Sequence, residues 1–123
     1  EQKLWVVAME NCDSERRAQL EQKGIRLLLL PIASNHHERV QSLLERLGTE
    51  GIGTLLVQGG REMIEYFLLG RFADYCVITL VPCFMGGDAN SQSPVKGLAQ
   101  ISECGYQTVG SDLIAFGALR YGA

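Results

Sequence analysis

The sequence has no uninterrupted apolar run long enough to cross a membrane, which takes about 20 residues. Its longest candidates, such as RLLLLPIA at 26–33, suit a buried strand. The opening EQKLWVV has no basic region followed by a long apolar segment, so no secretory signal is expected there. There is no basic stripe and no interleaving of basic with aromatic residues. Lys and Arg number 11 against 14 Asp and Glu, giving a net charge of −3, so a nucleic-acid partner is not expected. Cys12, Cys76, Cys83 and Cys104 form no C-x-x-C pair. They read as buried free thiols of a reducing, cytoplasmic compartment. His36 and His37 are adjacent and point in different directions on a helix, so no metal site is expected. The chain also lacks a G-x-G-x-x-G fingerprint, a Walker loop, a nucleophile elbow, a low-complexity linker and an internal repeat.

What is present is ordinary globular composition, 46% hydrophobic and 20% charged over 123 residues. That suffices for one domain with a real core, and 1–123 is read as a single domain. LWVVAM (4–9) is a β-rich run. CDSERRAQLEQKG (12–24) is a polar helix that Asp13 or Ser14 could cap, with Gly24 at its end. IRLLLLPI (25–32) reads as a strand covered on both faces. In 34–51, Val40, Leu43, Leu44 and Leu47 form one helical stripe, and Asn35 with Glu38 makes a capping pair. TLLVQ (54–58) is expected as a third strand, REMIEYFLLGR (61–71) as a third helix, and DYCVITLVP (74–82) as a fourth strand. The pattern β-α-β-α-β-α-β with short connections predicts parallel strands with right-handed crossovers. After a loop at 83–98, residues 100–122 read as an antiparallel hairpin around VGSD.

GTLLVQGGREMIEYFL (53–68) runs from strand-like sequence through Gly59 and Gly60 into a helix. The pair has two readings. It can be a tight strand-to-helix turn. It can also be a backbone cradle for phosphate, because a helix N-terminus offers N–H groups and partial positive charge and glycine admits close approach. Arg61 could add a charge-assisted contact. Asp13 and Ser14 carry a similar ambiguity between a helix cap and a contact to a ribose or its phosphate, with Asn11 a further candidate. Thr79 needs no role beyond its strand. Tyr66, Phe67, Phe72 and Tyr75 read as core or interface aromatics.

Gly51-Ile52, Gly59-Gly60, Asp74, Pro82, Gly86-Gly87 and the ending VGSDLIAFGALRY occur in an order and spacing that resemble the riboflavin-biosynthesis pyrimidine reductases. These form the C-terminal domain of the bifunctional deaminase-reductase. The resemblance spans nearly the whole chain and is densest over 51–90. It implies an α/β, dihydrofolate-reductase-like fold: a mainly parallel sheet flanked by helices, with a C-terminal antiparallel hairpin. It implies NADPH as cofactor, with Gly59, Gly60 and Arg61 holding the pyrophosphate and Gln58 orienting ribose or substrate. Thr79, Gly86 and Gly87 would lie on the substrate side. The implied reaction is reduction of the pyrimidine ribotide 5-amino-6-(5-phosphoribosylamino)uracil, with hydride chemistry that names no catalytic residue.

Two departures stand out. The family commonly has Glu before the glycine pair where this chain has Gln58, which carries no charge. Nothing corresponds to the family's early strands, so the chain reads as the C-terminal portion of the domain. An uncovered sheet would then favour a homodimer or higher homo-oligomer. The competing expectation is a non-catalytic, oligomer-forming remnant of the fold.

Overall fold

The computed structural model describes residues 4–84 and 99–122. The chain forms two compact units, one ending at Leu56 and the other beginning at Val57. The first unit runs β1 (Trp5–Met9), α1 (Ser14–Gln22), β2 (Arg26–Leu30) and α2 (His36–Thr49). The β1 and β2 strands pair in parallel, from Trp5 opposite Arg26 to Met9 opposite Leu30. The β-α-β reading of this region therefore holds. Leu28 and Leu30 of β2 are buried together with Val40 and Leu47 of α2, while Leu43 and Leu44 are half-buried. The stripe at i, i+3, i+4 and i+7 is the inward face of α2, as its spacing predicts. At the edge of the pair, the Arg26 guanidinium lies 4.4 Å from the centre of the Trp5 ring and is ion-paired with Glu50.

The helix ends follow local chemistry. Asp13 Oδ1 accepts from the backbone N–H groups of Glu15 and Arg16, both at 2.9 Å. At α2 the capping is reciprocal. Glu38 N–H donates to Asn35 Oδ1 at 2.9 Å, and Glu38 Oε2 accepts from the Ser34 N–H at 2.8 Å. Gly24 and Gly51 follow α1 and α2 at φ 74° and 81°. This left-handed position lets Ile25 N–H reach Leu20 O and Ile52 N–H reach Leu47 O, closing both helices with the same motif.

The second unit contains α3 (Arg61–Leu69), β3 (Tyr75–Leu80), β4 (Ala99–Val109) and β5 (Asp112–Tyr121). Its sheet has the order β3-β5-β4, antiparallel throughout. The expected hairpin is β4–β5, with Val109 opposite Asp112 across the turn Gly110–Ser111. Between Ser102 and Gly105 the register shifts, and Glu103 takes φ 50° in the bulge. Opposite it, a side chain on Gly117 would collide with Ile101 and the Ser102 carbonyl. The Phe116 ring lies over Gly105, where a β-carbon would fall 2.6 Å from it.

Two expectations are corrected. Residues 54–58 form no strand, and the described sheets are not mainly parallel: one is a parallel pair and the other an antiparallel three-stranded sheet. An apolar run becomes a strand only when a neighbour supplies ladder hydrogen bonds. Thr54–Gln58 has no strand partner among the described residues, and Leu56 is 77% exposed. The β3 strand finds its partner in β5, which meets it antiparallel. The four cysteines are free thiols, but Cys83 is exposed and the other three are half-buried, so none is sealed in the core.

Candidate functional site

The chain runs without regular structure through Gln58 and Gly59 to Gly60, the N-cap of α3. Gly60 has φ −67° and ψ 176°, and no side chain caps the helix. Intrahelical bonding begins at Met63 and Ile64, whose N–H groups both donate to the Gly60 carbonyl. The first turn therefore presents backbone donors and the positive end of the helix dipole outward.

The two glycines have different reasons to be there. A β-carbon at Gly59 would fall 2.8 Å from Met63 Cβ, closer than carbon atoms approach. Gly59 is thus demanded by the turn itself. A β-carbon at Gly60 would meet nothing within 4 Å, and its φ is open to any residue. Neither the backbone nor the packing requires glycine at position 60. What its missing side chain leaves open is approach from outside.

Beside it lies an open depression of about 460 Å³ lined by Gly60, Arg61, Glu62, Met63 and Tyr66. One cation, one carboxylate, a thioether and a phenol ring surround an uncapped helix end. That set suits a ligand with a phosphate group joined to a flat or apolar portion. An open cradle at Gly60 and a guanidinium at Arg61 fit the pyrophosphate of a dinucleotide; Glu62 is the member of the set that opposes it.

Of the residues expected from sequence, the depression brings together Gly60 and Arg61. Gln58 and Gly59 are exposed just before it and do not line it. Thr79 lies in β3 opposite Ile114 and is exposed. Gly86 and Gly87 lie outside the described residues. Asp13 is engaged as the α1 cap. Sequence reasoning gives Tyr66 only as a core or interface aromatic and assigns Met63 no role, yet both line the depression. Their i, i+3 spacing after Arg61 was the available signal, since it puts them on one helix face. Among the described residues no three His, Cys, Asp or Glu side chains gather to hold a metal, and no helix is long and apolar enough to cross a membrane. The shifted titrations lie away from the depression: burial pushes up the Cys76 thiol and the Tyr121 phenol.

A family model described as the RibD C-terminal domain matches residues 1–115. No curated protein matches the chain.

Proposed function

The chain belongs to the RibD C-terminal domain family, the reductase domain of riboflavin biosynthesis, and from that premise we propose that it provides the cofactor-binding part of an NADPH-dependent pyrimidine reductase. The observation that carries the reading is Gly60: a glycine the fold does not need, at an uncapped helix end, beside a guanidinium. In this reading the α3 backbone and Arg61 hold the cofactor's pyrophosphate, and Tyr66 and Met63 form the apolar side of its seat. Gln58, exposed one residue before the glycine pair, orients a ribose or the substrate by hydrogen bonding rather than by charge. Bound NADPH supplies the hydride; the protein's part is to fix its position against the carbon to be reduced. The substrate in this reading is 5-amino-6-(5-phosphoribosylamino)uracil. Titration of the chain with NADPH, with NADH as control, tests the proposal. Micromolar binding that prefers NADPH supports it, and no binding at millimolar NADPH contradicts it.

A second reading is favoured by the three-stranded sheet. Tyr75, Val77 and Leu80 of β3 are 57%, 59% and 55% exposed. In the sheet order β3 is an edge strand. Such an edge favours pairing with another chain. In this reading the chain is a non-catalytic, oligomer-forming unit. Self-association is expected under both readings, and a monomer at micromolar concentration in sedimentation would count against it. Cofactor binding separates the two.

A further inference from the structure

The antiparallel sheet has two outer strands, β3 and β4, and they are built differently. β4 is interrupted by the bulge between Ser102 and Gly105, and Glu103 puts a charge and a φ of 50° inside it. A bulge and a charge are devices that keep a sheet edge from pairing. β3 has neither. Tyr75–Leu80 is uncharged, free of proline and in unbroken register with β5, and every residue in it except Cys76 is exposed. β1, in the other sheet, is also uncharged, but Val7 is its only exposed residue.

The hydrogen-bond pattern shows which groups the β3 edge offers. Leu119 N–H donates to Asp74 O at 2.9 Å, directly across the register of Tyr75 with Ala118. Asp74 therefore belongs to a hydrogen-bonded pair, and so do Cys76, Ile78 and Leu80 at every second position. Tyr75, Val77 and Thr79 turn their N–H and C=O groups the other way, out along the open edge.

Resting on the self-association expected above, we propose that the β3 edge is the seam between two copies of this chain, which pair antiparallel about a two-fold axis at Val77. This occupant is chosen because the edge is complementary to itself. In that register Tyr75 meets the partner's Thr79, and Val77 meets the partner's Val77. These pairs exchange hydrogen bonds in both directions and use every outward group of the strand. Cys76 stands opposite the partner's Ile78 on the other face. No charge enters the seam, since Asp74 falls opposite the partner's Leu80 and far from the partner's Asp74. The exposed apolar side chains of both strands become cross-strand neighbours, and the two three-stranded sheets join into one.

Sedimentation of the unsubstituted chain, Val77→Lys, Val77→Pro and Tyr106→Lys tests the seam, with circular dichroism as the check on folding. Val77→Lys sets two like charges opposite each other at the axis. Val77→Pro removes an outward N–H and leaves the ladder to β5 intact. Tyr106→Lys makes the same kind of change in β4, away from the seam. The unsubstituted chain and Tyr106→Lys are expected to dimerise alike, and both Val77 variants about tenfold more weakly or worse. The register has its own readout, which survives if a Val77 variant fails to fold. Ile78→Cys, oxidised with diamide, is expected to form a disulfide from position 78 of one copy to Cys76 of the other, because a non-hydrogen-bonded pair brings their Cα atoms within disulfide range. Folded Val77 variants that dimerise like the unsubstituted chain, or an Ile78→Cys dimer without that link, overturn the seam and leave self-association standing. A monomeric unsubstituted chain overturns both.

Discussion

The Arg71 guanidinium donates to the carbonyl oxygen of Gly122 at 2.9 Å, joining the end of α3 to the end of β5. Arg71 sits at φ 56°, the left-handed position that Gly24 and Gly51 hold after α1 and α2. The same closing bonds form around it: Arg71 N–H to Leu68 O and Phe72 N–H to Phe67 O. A non-glycine residue there costs about 1 kcal/mol, and the contact with Gly122 offsets it. Arg71→Ala should keep the strain and lose the contact, destabilising the chain by about 1 kcal/mol. Arg71→Gly should lose the contact but relieve the strain and come out near neutral. Urea unfolding of both variants checks the order.

The Tyr121 hydroxyl donates to Ala73 O at 2.7 Å, and burial pushes its phenol up, with the Asp74 carboxylate and the Cys76 thiol adding to the shift. A folded-state value above the unfolded one favours the protonated form in the fold. That stability is complete below the ordinary tyrosine range, near pH 10, and is lost as pH rises through the raised value. Tyr121→Phe should cost about 1 kcal/mol at neutral pH. Its stability should then fall less steeply above about pH 10 than that of the unsubstituted chain. Thermal melts across that range compare the two slopes.

The α1 helix buries none of its residues, so it depends on local chemistry more than α2 does. Asp13→Ala removes two hydrogen bonds at its N-terminus and should cost about 1 kcal/mol. Asp13→Asn should recover most of it. Circular dichroism during urea unfolding reads both.

Gly59→Ala forces a β-carbon against Met63 and should destabilise the chain by about 1–3 kcal/mol. Pairing it with Met63→Ala, which shortens the obstructing side chain but keeps its β-carbon, should relieve only part of the loss. Full rescue would mean that the turn accommodates a side chain and that Gly59 is not fixed by packing.

The parts of this fold that sequence disclosed are those decided within a few residues. The Val40–Leu47 stripe, the Asn35–Glu38 cap and the hairpin turn at Gly110–Ser111 each carry their own instruction. Thr54–Gln58 carries an equally strong β signal and forms no strand, because a ladder needs a partner that no local pattern can specify. The direction of β3 is not legible locally for the same reason: its partner β5 lies more than thirty residues onward. At the site, the glycine pair was visible, but its division of labour was not. Only the position of Met63 shows that Gly59 serves the turn and Gly60 does not. Arg71 at a glycine position was hidden by Gly70 beside it, which sequence offers as the more natural helix end.

The most direct test of the cofactor seat is calorimetric titration of NADPH into the unsubstituted chain and Gly60→Ala. The backbone at position 60 suits alanine and its β-carbon meets open space, but alanine is a poorer N-cap than glycine, so the variant should still fold, with a loss of no more than about 1 kcal/mol. Its methyl group would nevertheless stand where the pyrophosphate approaches, and NADPH affinity should fall roughly tenfold or more. A fully folded Gly60→Ala that binds NADPH as the parent does would show that the cofactor does not sit at α3.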